Sequence, residues 1–500
     1  MPACHRMHSG QRVAKMERPA LGGLALAAAA VLVACARART RSSFGQGRQN
    51  PLASQRERVA HLFRRAGFGA TPEQLDEFSR RSYDDAVEYL VDYEQVPDDL
   101  EQRLKLNPVD LSRIDSVRQD WLFRMLHTKR PLQEKMALFW HSHFATANSK
   151  VNSALLMYRQ IELFRRMALG NFRELVLEVS KDPAMLRWLD SNQNRKGAPN
   201  ENYARELLEL FTMGIGNYTE RDIKEAARAF TGWFMRLAPG AQNRPGQDNY
   251  EFFFDRNQHD FGPKTFLGET GPWDGGDIIN IIFKQPATSR FIARKLFSFF
   301  AYENPEEATV ARLAEVFVKN NYELKPLLRA IFKSPEFLSP RAYHALIKSP
   351  VEFCIGLMRE LGVAVPPTDL PAVLRRMGQD LLNPPTVKGW DGGAEWISSV
   401  TLLERFNFAN RLVTGRTGRV ESLKLEPADL ERLKLTSFEA LVDYFLERFV
   451  ERDVPETTRK ALLRYVKTGV GAFALTPTFV DQKVRGLIHL ILCTPEYQLN

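Results

Sequence analysis

Two histidines lie in an aromatic-rich segment, at a spacing that could do metal chemistry. His141 and His143 stand in the sequence FWHSHF. Side chains at i and i+2 point about 200° apart on an ideal helix, so a metal held by both requires the helix to end or distort there. The spacing of helical metal motifs is i and i+4. We therefore take His141 and His143 as candidate ligands of a divalent metal such as Zn or Fe, with a buried, hydrogen-bonded histidine as the alternative.

A second set of candidate catalytic groups lies further along the chain. Arg205 and Glu206 belong to the polar face of a predicted helix, and His259 and Asp260 stand in the loop sequence QHDFGPK. Imidazole and carboxylate groups together suit acid and base catalysis. We predict that these four groups meet, because the short chain between them must return near its start. The alternative is a solvated helix face with internal ion pairs.

The positions of these groups depend on a predicted αα-hairpin, whose sequence is NENYARELLELFTMGIGNYTERDIKEAARAFTGW. The apolar spacing predicts a first helix from Asn200, acting as its cap, to about Met213. A second helix begins at Thr219, where Asp222 completes a shorter version of a capping box. The hairpin is the element around which we expect the site to be built.

The pattern of the whole chain predicts a mainly α fold. We expect one large multi-helix domain over residues 57–500, with a small β-hairpin excursion near residues 231–268. A C-terminal subdomain could begin at about residue 343. The glycine-rich aromatic turn GWDGG at 389–393 could cover a cleft.

The N-terminal segment is typical of an export signal. Basic residues precede an apolar run over residues 20–34, which is too short to span a bilayer. The run ends in LVAC, which resembles the lipobox of bacterial lipoproteins and predicts lipidation at Cys35. We expect residues 1–35 to be a signal peptide and residues 36–56 a flexible linker, rich in Arg, Ser, Gln and Gly. The protein would then be attached to the membrane through its lipid anchor; an ordinary cleaved signal peptide is the alternative.

Charge and cysteine content exclude two further classes. The net charge of +9 falls to about +6 when the four basic residues and one acidic residue of positions 1–35 are removed, and no dense basic run is present. We therefore expect no nucleic-acid partner. Cys354 and Cys493 lie in apolar helical segments and do not indicate a disulfide framework.

Several motifs together resemble a known bacterial family. WHSHF, NENYARELLELFTMGIGNYT, AARAFTGW, HDFGPKTFLG, ATSRFIARKL and GWDGG occur in this order, followed by a terminal PEYQ. They resemble the family called domain of unknown function 1800 over about residues 57–500. The resemblance implies a large, mainly helical, often exported protein without an established activity. It also implies a companion exported sulfatase-like protein as a partner.

Two classes of function follow from these observations. In the first, the chain is an exported or lipid-anchored envelope enzyme, a metal-dependent or acid/base hydrolase. In the second, it is a non-catalytic envelope scaffold that binds a glycan or a protein. A convergence of the imidazole and carboxylate groups on one point would favour the enzyme.

Overall fold

Short polar residues determine where many of the helices begin. Ser54, Thr71 and Ser82 each accept a hydrogen bond from the amide three residues later, which satisfies a donor that the first helical turn leaves free. The structure is a computed structural model that describes residues 51–106, 108–415, 423 and 425–500. The predicted signal peptide with Cys35, and residues 36–50 of the predicted linker, lie outside the described residues.

The helices of the first half precede the β-excursion. They are α1 (Gln55–Ala66), α2 (Pro72–Arg80), α3 (Tyr83–Val91), α4 (Leu100–Lys105), α5 (Ile114–His127), α6 (Pro131–His143), α7 (Asn148–Val151), α8 (Ala154–Arg166), α9 (Phe172–Ser180), α10 (Pro183–Trp188), α11 (Asn202–Glu206) and α12 (Glu220–Ala229). The later helices are α13 (Gly275–Ile282), α14 (Pro286–Phe300), α15 (Glu307–Lys319), α16 (Leu324–Phe332), α17 (Pro350–Leu361), α18 (Leu370–Arg376), α19 (Ser399–Thr414), α20 (Pro427–Arg432), α21 (Phe438–Val450), α22 (Glu456–Lys467), α23 (Pro477–Phe479) and α24 (Arg485–Leu492).

One large apolar core joins these helices. Its buried members run from Val59 in α1 to Tyr497 near the end of the chain, and a smaller cluster surrounds Trp396. Of the residues that the structure describes, 59% are helical, so the mainly α prediction is confirmed. Cys354 and Cys493 are both free thiols. Among the described residues, no helix is both long enough and apolar enough to cross a membrane.

The β-structure lies where the sequence indicates it. Strands β1 (Trp233–Leu237) and β2 (Tyr250–Phe254) pair antiparallel, and a second small ribbon follows from β3 (Lys264–Phe266) and β4 (Glu269–Gly271). The excursion therefore contains two ribbons and extends to residue 271, slightly beyond the predicted segment.

The central hairpin differs from its prediction in the first helix. After α11 the chain widens into a π-helix over Leu207–Thr212, in which the amides of Met213 and Gly214 both donate to the carbonyl of Leu208. Asn200 lies before the helix and accepts a hydrogen bond from the Asn202 amide at 2.9 Å. A π-helical turn inside a helix often marks a functional position, because it changes which carbonyl groups remain free.

The second helix of the hairpin begins as predicted. Thr219 and Asp222 exchange side chain to backbone hydrogen bonds at 2.8 and 3.2 Å, which completes the capping box. The other elements that matter for the site are α6, which packs against α5 and α8, and α14, which packs against α15, α16 and the π-helix.

Candidate functional site

A cleft of about 420 Å³ opens between α6, α14, the start of α17 and the glycine-rich turn. This volume lies within the range of ligand pockets. Its wall combines the aromatic rings of Phe139, Phe299, Trp390 and Trp396 with polar groups that include Lys295. The expectation that the GWDGG turn lies over a cleft agrees with this arrangement.

His143 ends α6 and lies at the floor of the cleft. It is 3% exposed, and its two ring nitrogens have different partners: Nδ1 lies 2.9 Å from Lys295 Nζ, and Nε2 lies 3.0 Å from the carbonyl oxygen of Phe211. An ammonium group can only donate, so Nδ1 accepts from Lys295 and Nε2 carries the proton that is donated to Phe211. Burial, and then the charge of Lys295, lower the pKa of His143 well below its usual range, so the ring is neutral.

The end of the central helix supplies the acceptor for His143. Phe211 is in the π-helical turn, and Gly214 then reverses the chain with a φ of +80°. A Cβ at position 214 would lie 3.0 Å from Cδ2 of Phe291 in α14. The central hairpin therefore contributes to the site through a backbone carbonyl and close packing, whereas the sequence interpretation assigned that role to its polar face.

Lys295 is a cation in the wall of the cleft. It is half-buried on α14 and forms no ion pair within the described part of the chain, while its ammonium lies 5.2 Å from the centre of the Phe291 ring. Burial lowers the pKa of Lys295 to about 8. Roughly a tenth of the amine is then neutral at pH 7, against far less for an ordinary lysine. A neutral amine has a lone pair that can accept a proton or attack an electrophile.

Neighbouring cations hold the wall of the cleft in place. Arg65 donates to the carbonyl groups of Phe300 at 2.7 Å and Phe299 at 3.0 Å, which satisfies the free carbonyls at the end of α14. Lys135, 1% exposed, pairs with Glu352 at the start of α17. Arg65 and Lys135 are thus already bonded to α14 and α17 and hold these helices in place. Lys295 remains available to a ligand.

The glycine-rich turn rests directly on α6. Gly389 has a φ of +86°, and a Cβ there would lie 2.3 Å from the carbonyl oxygen of Ser142. His141 packs against the same turn, because its ring centre lies 5.4 Å from that of Trp390. Its Nε2 accepts a hydrogen bond from the Leu382 amide, in the segment before the turn, at 3.1 Å. Burial lowers the pKa of His141 to about 3, so it stays neutral.

The two histidines do not converge on a metal position in this geometry. His141 bonds to the backbone of residue 382, and both nitrogens of His143 are occupied by Phe211 and Lys295. Within the described ranges, no group of three or more His, Cys, Asp or Glu side chains could hold a metal ion. The alternative reading of buried, hydrogen-bonded histidines describes His141, whereas His143 belongs to the cleft through Lys295.

The expected meeting of the central helix with the His259 loop is not found. Arg205 pairs with Glu201 and Glu220, whereas Asp260 pairs with Arg228 at 2.8 Å. Glu220 and Arg228 lie near opposite ends of α12, about 12 Å apart along the helix axis. Their partners Arg205 and Asp260 are therefore separated as well. Arg205 lies beside the first turn of α12, and the loop lies beside its last turn.

His259, Asp260 and Glu206 have their own surroundings. His259 is 2% exposed and donates from Nδ1 to the Thr231 carbonyl at 2.8 Å. Burial raises the pKa of Asp260, but the hydrogen bonds from Arg228 and Gly262 outweigh it and lower the pKa overall. Glu206 is half-buried, and burial followed by the charge of Glu209 raises its pKa. None of these groups, nor Arg205, lines the cleft.

Sequence reasoning missed Lys295, the most informative residue of the site. A signal for it was present, because its helical neighbours at i−4 and i+4 are Phe291 and Phe299. A lysine between two aromatic residues on one helix face has its amine in apolar surroundings, which is the environment that lowers an amine pKa.

Comparison with known proteins identifies the family. A sequence model of the family described as "Protein of unknown function (DUF1800)" matches residues 61–499. Neither the curated proteins nor the solved structures contain a match to this chain. The matched range includes α6, α14 and the glycine-rich turn, which together form the cleft. The chain therefore belongs to the DUF1800 family, and the resemblance of its motifs to that family is confirmed.

Proposed function

We propose that the protein is an exported envelope enzyme, an acid/base hydrolase in which Lys295 is the general base. The observation that carries the proposal is the contact of Lys295 with the neutral His143 at 2.9 Å on the floor of a 420 Å³ cleft. Export is supported by the apolar run over residues 20–34 and the LVAC motif at Cys35.

His143 positions the amine in this mechanism. Its Nδ1 accepts one N–H of Lys295, and the hydrogen bond from Nε2 to Phe211 keeps the ring in the tautomer that can do so. When Lys295 is neutral, its lone pair is free for a molecule in the cleft. It accepts a proton from a water molecule while the water oxygen bonds to the electrophilic carbon of the substrate. The bond between that carbon and the leaving group then breaks, and the ammonium gives the proton to the leaving group, which regenerates the neutral amine.

The wall of the cleft indicates the kind of substrate. Trp390 and Trp396 offer flat apolar faces, and the exposed side chains of Lys388 and Asp391 lie at the same turn. Flat rings beside hydrogen-bonding groups suit a substrate that has both an apolar face and polar substituents. Sugar rings and aromatic esters both meet this description.

Hydrolysis of chromogenic substrates tests the proposal. We would assay residues 36–500 against a panel of 4-nitrophenyl esters and 4-nitrophenyl glycosides. We expect hydrolysis by the wild type, a loss of at least a hundredfold in Lys295→Met, and a rate that rises with pH through about 8. Lys319→Met is the matched control, because Lys319 is an exposed helical lysine outside the cleft.

Two outcomes would contradict the proposed hydrolase. Hydrolysis that survives Lys295→Met unchanged would remove Lys295 from the chemistry. Absence of hydrolysis throughout the panel, together with capture of an unreacted 4-nitrophenyl compound by wild type and Lys295→Met alike, would favour the binding module instead.

A further inference from the structure

One face of the β1–β2 ribbon carries aromatic and charged side chains that water reaches. In an antiparallel pair, alternate residues of a strand point to the same side, and directly opposite residues are neighbours. Phe234 lies opposite Phe253 and Arg236 lies opposite Glu251, so these four side chains share one face of the ribbon. Arg236 is exposed, and the other three are half-buried.

The opposite face of the ribbon packs on the helical body. Trp233 is buried in the main apolar core, and Phe252 and Phe254 pack against that core. The ring centres of Trp233 and Phe252 are 5.2 Å apart. Phe234 and Phe253 do not belong to the core contacts of the described residues, so their face of the ribbon points away from the body.

Arginine side chains contact the two phenylalanine rings on this outward face. The guanidinium of Arg236 lies 4.6 Å from the centre of the Phe253 ring, and that of Arg195 lies 5.8 Å from the centre of the Phe234 ring. A guanidinium over a ring covers part of its apolar surface while the charge stays in contact with water. The face therefore presents apolar rings and positive charge side by side.

The turn after β2 continues this surface. The Lys196 amide donates to the Gln258 carbonyl at 2.8 Å, which joins the loop that carries Arg195 to the turn over residues 256–258. In that turn, the guanidinium of Arg256 lies 5.6 Å from the ring centre of Phe261, which is 50% exposed. We call this surface the ribbon face, and it consists of Arg195, Lys196, Phe234, Arg236, Glu251, Phe253, Arg256 and Phe261.

Positive charge is in excess on the ribbon face. Its fourth basic group, Arg236, pairs with Glu251 at 2.8 Å, and the neighbouring carboxylate of Asp255 accepts from a backbone amide of the turn. The other three basic side chains are exposed and form no ion pair within the described ranges: Arg195, Lys196 and Arg256. Exposed apolar rings beside uncompensated charge are typical of a surface that a partner covers. That partner must bring negative charge together with an apolar layer.

We propose that the ribbon face docks on the surface of an anionic phospholipid bilayer. Lipid phosphate groups pair with the basic side chains, and the phenylalanine rings enter the boundary between headgroups and acyl chains. A soluble anion would satisfy the charges but would leave the rings in water. None of the residues of the ribbon face lines the Lys295 cleft, so the inference is independent of hydrolysis there.

The expected lipid anchor is compatible with this docking. Residues 36–50 separate Cys35 from the first described residue, and an extended chain of this length reaches at most about 50 Å. This reach lets the helical body turn its ribbon face to the membrane that holds the lipid. The docking itself does not require the lipid, so it can be measured without one.

Vesicle flotation of residues 36–500, which lack Cys35 and its lipid, tests the docking. The probes are vesicles of phosphatidylcholine alone and mixed vesicles of phosphatidylcholine and phosphatidylglycerol, at physiological salt. We expect binding to the mixed vesicles and at least about tenfold weaker binding to phosphatidylcholine, because the basic groups require anionic lipid. Arg195→Gln combined with Arg256→Gln should weaken binding to the mixed vesicles at least about tenfold. Phe261→Ala should also weaken it severalfold, because the exposed ring is then lost to the bilayer.

A matched pair of substitutions separates the ribbon face from the charge of the whole chain. Arg80→Gln combined with Arg464→Gln removes the same charge from two exposed helical arginines, and this variant should bind like the wild type. Residues 36–50 are present in every variant, so their arginines do not affect the comparison. Absence of flotation with the mixed vesicles, or equal losses in the two double variants, would overturn the proposal. Unchanged binding in Phe261→Ala would overturn it too, in favour of a surface for a soluble anion.

Discussion

At the scale of single residues, the surroundings of Lys295 and His143 determine what each can do. Both are basic side chains, but burial removes the charge from His143 and leaves it as a hydrogen-bond acceptor for Lys295. Lys295 keeps its charge at neutral pH with a pKa lowered to about 8. In the proposed mechanism His143 therefore positions Lys295, and Lys295 is the group that reacts.

The lowered pKa of Lys295 predicts a specific dependence of stability on pH. The unfolded chain holds this proton up to a pKa of about 10.4, whereas the folded chain releases it near 8. Between these values the unfolded state binds more protons, so the free energy of unfolding rises with pH. The wild type should gain on the order of 2 kcal/mol more than Lys295→Met between pH 7 and pH 10.

Urea denaturation of the two proteins at pH 7, 8, 9 and 10 measures this difference. The comparison between variants cancels the titration of the groups that Lys295 does not contact. Parallel stability curves for wild type and Lys295→Met would show that Lys295 titrates as an ordinary amine, and would contradict the low pKa.

At the scale of elements, the cleft depends on how closely the glycine-rich turn lies on α6. A Cβ at Gly389 would overlap the carbonyl of Ser142 at 2.3 Å, so the turn could not stay in place. The ion pairs on the polar face of the central helix, in contrast, contribute little to stability. The side chains of Arg205 and Glu201 are 36% and 34% exposed and that of Glu220 is 68% exposed, and pairs at such solvent-accessible positions contribute only about 0 to 1 kcal/mol to stability.

Two glycine substitutions with the same backbone angle test this packing. Gly389 and Gly268 both have a φ of +86°, but nothing lies within 4 Å of a Cβ at Gly268. Gly268→Ala should cost about 1 kcal/mol from backbone strain alone. Gly389→Ala should cost about 2 to 4 kcal/mol, because the overlap with Ser142 is added. Urea denaturation measures both, and equal losses would contradict the close contact.

At the scale of the whole molecule, the helical body is expected to be tethered to a membrane. The LVAC motif predicts a lipid at Cys35, and the first described helix begins at Gln55, near the end of the polar segment 36–56. Anchoring would keep the Lys295 cleft near the envelope, where a substrate would be met.

Metabolic labelling with a radioactive fatty acid tests the anchor. We expect the wild-type chain to incorporate the label in a bacterial host and Cys35→Ser to lose it, because a lipobox directs acylation to that cysteine alone. Cys354→Ser is the control, since Cys354 is fully buried in the core and should not affect labelling. Label that remains in Cys35→Ser would contradict the lipoprotein prediction.

The sequence by itself determined the helical class, the capping boxes, the place of the β-excursion and the family. These follow from neighbours within a few residues, as with Thr219 and Asp222, or from motifs in order along the chain. Only the tertiary structure decided the cleft. Lys295 and His143 are 152 positions apart, and the partner of His143 in the central helix is a backbone carbonyl, which no side-chain pattern reveals. Asp260 met Arg228 and not Arg205 for a related reason: the geometry of α12 separates its two ends, and local spacing does not say on which end a distant loop will lie.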